Sequence, residues 1–123
     1  MKKVLVLSTD AQLLAFLDSE LADKNLAVSV LQNPDDLQNA LYSIAPDALI
    51  VDFYLNDING GAICHQLKSD NKTHHLPIVM LTDEPQIARF SNKFGCDVLL
   101  SKSAQLHQIA YALHTLTEKQ AVA

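Results

Sequence analysis

Tryptophan is absent from this 123-residue chain, glycine occurs three times, proline four times and cysteine twice, and a single arginine, Arg89, stands among nine basic residues. The scarcity of glycine and proline excludes collagen-like and low-complexity chains, and 49% hydrophobic against 19% charged residues excludes disorder. The two cysteines, Cys64 and Cys96, lie in apolar settings without metal-ligand spacing, which excludes a disulfide scaffold and fits reduced thiols. Basic residues form no run beyond Lys2-Lys3 and the formal net charge is -5, so the clustered cations of a nucleic-acid binder are missing. Long apolar runs are missing too: Val4-Leu5-Val6-Leu7 is stopped by Ser8-Thr9-Asp10, too early for a secretion signal or a membrane span. These absences lead to a cytoplasmic protein that contacts neither nucleic acid nor membrane.

What is present alternates in period. Apolar runs of strand length occupy 4–7, 27–31, 48–51, 76–82 and 98–100, each bounded by turn or capping residues. Between them apolar residues recur at helical spacing: Leu13, Leu14, Leu17 and Leu21; Leu37, Leu41 and Ile44; Ala62, Ile63 and Leu67; Ile87, Phe90 and Phe94; and finally Leu106, Ile109, Leu113 and Leu116. The spacing predicts a first helix over 11–23, a second opened by Asn33-Pro34 and stopped by Pro46, a third beginning at Ala62, and a left-handed Gly95 after the fourth. Five strand–helix units predict one α/β domain over 1–123, with a five-stranded parallel sheet of order 2-1-3-4-5 and helices on both faces, the flavodoxin-like arrangement. The Ser29-containing second strand suits an edge.

In such a sheet the carboxyl ends of the central strands share one crevice. Those ends carry Ser8, Thr9 and Asp10 on the first strand, Asp52 on the third, Thr82 on the fourth and Lys102 just past the fifth. A carboxylate can attack a phosphoryl group, a lysine can neutralise its oxygens and a threonine hydroxyl can bond one of them.

Val51-Asp52, Asn59-Gly60, Pro77-Ile78-Val79-Met80-Leu81-Thr82, Gly95-Cys96-Asp97 and Leu100-Ser101-Lys102 together resemble the receiver domain of two-component response regulators. The resemblance implies that Asp52 accepts phosphate from a histidine kinase, that Lys102 contacts the phosphoryl group and that Thr82 swings toward it. It further implies a magnesium ion on Asp52, the Tyr54 carbonyl and acids after the first strand. The chain departs from the family there. Ser8 and Thr9 stand where receivers usually carry two acids, and Asp10 lies one position later. Ser103 replaces the proline usual after the lysine, and Leu99 the switch aromatic three residues before it. With Asp52 the one assured carboxylate beside Lys102, magnesium binding is expected to be weak. The expected function is a non-enzymatic, atypical receiver acting mainly as a protein-interaction module, with a conventional phospho-accepting receiver as the alternative.

Two readings of another class lack support in the residues. A small phosphatase with an Asp52 nucleophile would want a second carboxylate soon after it, and only Asp57 offers one, within the loop. A flavodoxin-like nucleotide or flavin binder would want a longer phosphate loop than Ser8-Thr9-Asp10. Expected partners are a histidine kinase or other signalling protein. Ala104, His107, Tyr111 and His114 line one side of the last helix, and the resemblance implies a homodimer through the fourth helix, fifth strand and fifth helix, the face that serves this purpose in similar receivers.

Overall fold

The computed structural model describes residues 1–22, 24–56, 58–88, 95–104 and 106–122. Five parallel strands form the sheet: β1 (Lys2–Leu7), β2 (Leu26–Leu31), β3 (Ala48–Asp52), β4 (Ile78–Leu81) and β5 (Val98–Leu100). Their order is β2-β1-β3-β4-β5, as the alternating pattern predicts. The helices are α1 (Ala11–Ala22), α2 (Leu37–Ile44), α3 (Gly60–Ser69), α4 (Pro85–Ala88) and α5 (Leu106–Val122). The expected contributions of Phe90 and Phe94 to the fourth helix, and the candidate acid Asp57, lie outside the described residues.

Strand side chains alternate between two cores. Val4, Val6, Ile50 and Leu81 pack under α1 and α5 with Leu17 and Leu113, while Leu5, Leu7, Val51 and Met80 pack under α2 and α3 with Leu37 and Leu67. β1, β3 and β4 are buried on both faces, which is why their sequences read as unbroken apolar runs.

Local chemistry accounts for the differences from the predicted boundaries. Asn33 caps a 3-10 turn, Pro34–Asp36, by accepting the Asp35 N–H at 2.9 Å, and α2 proper starts only at Leu37. Its end is made by Ala45 in the left-handed region (φ 50°), one residue ahead of Pro46. α3 starts two residues earlier than Ala62 because the Asn59 side chain accepts the Ala62 N–H at 2.8 Å and caps the turn that begins at Gly60. The loop before it holds a small antiparallel hairpin, Tyr54–Leu55 against Ile58–Asn59, which no sequence pattern announced. Gly95 is left-handed (φ 79°), as expected.

At the amino-terminal pole of the sheet, Lys68 of α3 ties three segments together. Its ammonium lies 2.8 Å from Asp97 and donates to the carbonyls of Leu76 at 2.8 Å and His74 at 3.3 Å. Asp97 also accepts the Ile78 N–H at 2.7 Å, which fixes where β4 begins beside β5. Asp97→Ala should therefore leave a backbone donor and an ammonium short of their acceptor and cost about 1–3 kcal/mol, read as a lower urea midpoint with an unchanged slope.

Candidate functional site

The site is built by strand endings. β1 and β3 run in register from Val4–Ala48 to Leu7–Val51, so the next pair along the crevice is Ser8 and Asp52. Asp52 is 1% exposed and Ser8 fully buried. The Ser8 hydroxyl donates to Asp52 Oδ2 at 2.9 Å, and Lys102 Nζ reaches the same oxygen at 3.1 Å. Asp52 Oδ1 is buried and, among the described residues, has no hydrogen-bond partner, a free lone pair in a desolvated place.

Asp10 does two jobs. Its Oδ1 accepts the N–H groups of Gln12 at 3.1 Å and Leu13 at 3.2 Å, capping α1, while its Oδ2 stands 3.4 Å from Lys102 Nζ. Its own N–H donates to Ser8 Oγ at 3.0 Å, so Ser8 links the cap to Asp52. The Leu13 N–H holds the Asp10 carboxyl below its usual range against the opposing effect of burial, and Lys102 adds to the lowering. Burial works against the charge on Lys102, but the hydrogen bond to Asp52 and that carboxylate's charge, reinforced by Asp10, outweigh it and hold the ammonium above its usual value. Asp52 and Lys102 alone would be neutral; with Asp10 brought in, two carboxylates face one ammonium.

Thr82, 6% exposed, sits at the tip of β4, its N–H bonded to the Leu100 carbonyl at 3.0 Å and its hydroxyl accepting the Glu84 N–H at 3.2 Å. The hydroxyl is thus engaged within its own loop. Tyr54, the expected source of a carbonyl ligand, is paired with Asn59 in the hairpin, and among the described residues no hydrogen bond or ion pair joins it to Asp52 or Asp10. The described residues include no group of three or more His, Cys, Asp or Glu placed to hold a metal. Burial pushes the Cys64 thiol up to about 12, so it is a core side chain rather than a nucleophile.

Three contributions escaped the sequence reading. Ser8 was expected in the crevice, but not as the hydroxyl that donates to Asp52. Gly60 packs against the acceptor strand's own backbone: a Cβ there would lie 2.5 Å from the Asp52 carbonyl oxygen and 3.0 Å from Phe53 Cα, while the Gly60 N–H donates to the Phe53 carbonyl at 2.7 Å. Asp83, Ser101 and Ser103 form a polar clasp between the loops after β4 and β5, with Ser101 Oγ 2.5 Å from Asp83 Oδ1 and 2.8 Å from Ser103 Oγ. The Ser101 hydroxyl holds the Asp83 carboxyl below its usual range.

A family model described as the response regulator receiver domain matches residues 4–114. The chain is 32% identical over 80 residues to Protein RcaC of Microchaete diplosiphon, covering 65% of this chain and 12% of that protein. It is 30% identical over 80 residues to the phosphate regulon transcriptional regulatory protein PhoB of Rhizobium meliloti, covering 65% of this chain and 35% of that one. The match thus spans well under half the length of these curated relatives. Among solved structures, the signal receiver domain of a signal transduction histidine kinase from Syntrophus aciditrophicus superposes with a TM-score of 0.88 at 20% identity, covering 97% of this chain and 92% of its own, a likeness of fold.

Gly60→Ala should cost about 1–3 kcal/mol, because the clash is with backbone that cannot yield without moving Asp52; urea unfolding measures it. Asp10→Ala should cost about 0.5–2 kcal/mol at neutral pH through the lost cap. Since the Asp10 carboxyl in the fold is held below 3.8, its stabilisation is present above that pH and lost as pH falls through the lowered value. The gap in thermal midpoint between Asp10→Ala and the native chain should therefore persist down to pH 4 and narrow in more acid solution.

Proposed function

The chain belongs to the response regulator receiver family, and from that premise we propose that it works as an atypical receiver, one domain over 1–123 that acts mainly through protein contacts, with weak or no magnesium-dependent phosphorylation at Asp52. The observation that carries this reading is the Ser8 hydroxyl on Asp52 Oδ2, in the place where the family usually sets an acid. The residues do not fit a magnesium ion well. Magnesium requires a near-octahedral set of hard oxygens and dehydrates reluctantly, whereas here the two carboxylates are joined to an ammonium and one of them is spent capping α1.

One observation favours the alternative of a conventional phospho-accepting receiver: the buried, unpartnered Asp52 Oδ1 is the lone pair an acyl phosphate would form on. In that case Lys102 and the Thr82 hydroxyl would serve the transferred oxygens. In both readings the chain is a signalling module of the cytoplasm rather than an enzyme. Its partner is a histidine kinase or another signalling protein, and it contacts neither nucleic acid nor lipid. No helix among the described residues is long and apolar enough to cross a membrane. The β5–α5 face supports a docking role: Tyr111 is 73% exposed beside a groove of 450 Å³ lined by Val98, Leu100, His107 and Leu116.

Incubation with phosphoramidate or acetyl phosphate and magnesium, followed by intact mass measurement, tests the proposal. Little or no added phosphoryl mass is expected, and Ser8→Asp should increase both magnesium binding and uptake. Prompt addition of one phosphoryl group to the native chain, abolished by Asp52→Asn, would establish the conventional receiver instead.

A further inference from the structure

One ammonium in the crevice is shared by two carboxylates. Lys102 Nζ lies 3.1 Å from Asp52 Oδ2 and 3.4 Å from Asp10 Oδ2, both longer than the roughly 2.7–2.9 Å that a charge-assisted hydrogen bond prefers. A lysine fully seated on neither acceptor can lean toward whichever carries more charge. The backbone beneath it lacks that freedom. Ser101 Oγ is held by Asp83 Oδ1, the Ser103 N–H donates to Ser101 Oγ at 3.1 Å, and the Ala104 N–H donates to the Ser101 carbonyl at 2.9 Å, which pins the turn on both sides of Lys102. Asp83, the third carboxylate near this ammonium, is occupied by the Ser101 hydroxyl. Movement is left to the lysine side chain, 26% exposed, which carries its charge on a flexible stem.

Asp10 is not an isolated acid. Its Oδ1 accepts the Gln12 and Leu13 N–H groups, and its own N–H donates to Ser8 Oγ, whose hydroxyl donates in turn to Asp52 Oδ2. The first turn of α1 is thus joined to Asp52 twice, through Lys102 and through Ser8. Among the described residues the Asp52 side chain makes no bond to Thr82, whose hydroxyl accepts the Glu84 N–H instead. We propose that Lys102 is a movable link that passes the charge state of Asp52 to the first turn of α1. Negative charge gained at Asp52 draws the ammonium off Asp10 and loosens the cap. Charge lost there releases the ammonium to Asp10, where it tethers Oδ2 and so fixes the carboxyl plane with Oδ1 toward Gln12 and Leu13. The link is indifferent to what alters the charge, so it goes beyond either reading of the phosphorylation chemistry. It also leaves the sheet by another exit than the threonine and aromatic of the usual receiver, whose aromatic position is Leu99 here.

Amide hydrogen exchange followed by nuclear magnetic resonance, with a chelator present, reads the cap at Gln12 and Leu13 against the amides of the fully buried Val6 and Ile50, which report opening of the whole fold. Asp52→Asn removes the charge and keeps the shape. Relative to those core amides, Gln12 and Leu13 should then exchange more slowly by roughly threefold or more, the scale of coupling within one network. Lys102→Met, which takes the tether away, should speed both amides instead. A mere loss of order in the crevice would speed them in both variants, so the opposite signs are the signature, and Asp10→Asn supplies a second comparison should Lys102→Met fail to fold. It keeps a capping side chain without the charge that holds Lys102, so adding Asp52→Asn to it should leave Gln12 and Leu13 unchanged. The proposal is overturned by Gln12 and Leu13 amides that are unchanged or faster in Asp52→Asn. It is equally overturned by a response that persists in Asp10→Asn, or by one that appears at Thr82 and β5 while α1 is silent. No phosphoryl donor enters this measurement, so its outcome is separate from that of the mass assay.

Discussion

A carboxylate that is 1% exposed at the end of a central strand is the constraint on which the crevice depends. Water has been taken from Asp52, and a buried charge persists only where other groups replace that water. Here an ammonium and a hydroxyl do so, both on Oδ2. Each arrives from a different segment, Ser8 from β1 and Lys102 from the turn after β5, so compensating one charge brings two distant strand tips to the third. Asp10 completes the arrangement by sharing Lys102 while it caps α1, which couples the entry of the first helix to the same ammonium.

Backbone packing adds to this restraint. Gly60 lies against the Asp52 carbonyl so closely that no side chain fits, and the Asn59 cap then launches α3 from that point. On the other side, the Asp83–Ser101–Ser103 clasp joins the loop that carries Thr82 to the loop that carries Lys102. The usual receiver switch, as the family resemblance presents it, needs the threonine loop to move and an aromatic to turn with it. In this chain that loop is clasped, the Thr82 hydroxyl already accepts the Glu84 N–H, and the aromatic position is Leu99, partly buried against the core. All three favour one conformation.

The architecture was legible because its signals are long and redundant: β1, β3 and β4 are buried on both faces and so read as apolar runs, and the helical stripes between them leave few alternatives in topology. The convergence of Asp52 and Lys102 followed from strand order alone. Smaller features were not legible. The start of α3 at Gly60 depends on a close approach between backbones rather than on residue preference, and the hairpin of Tyr54–Leu55 with Ile58–Asn59 is too short for periodicity to register. Asp10 both caps α1 and meets Lys102; its two oxygens have different partners, which sequence position cannot convey. Ser8 was noted for the charge it lacks, and its hydrogen bond became apparent only when β1 and β3 were set in register.

The proposed atypical reading turns on the same serine, which leaves the fold in place. A carboxylate at position 8 would lie beside the buried Asp52 carboxylate, whose partner Lys102 also serves Asp10, and like charges at such distances in a poorly hydrated place strongly disfavour joint ionisation. A divalent cation is what makes a crevice of that kind tolerable. Serine removes the repulsion and supplies a donor, so the tips of β1 and β3 are held together by the chain's own groups. The core beneath is unaffected, since Ser8 follows the last apolar residue of β1 and replaces none of those that fill the two layers. In the proposed reading, fold and phosphoryl chemistry part at one strand tip, because the position that changes lies beyond the residues that fill the sheet's two cores.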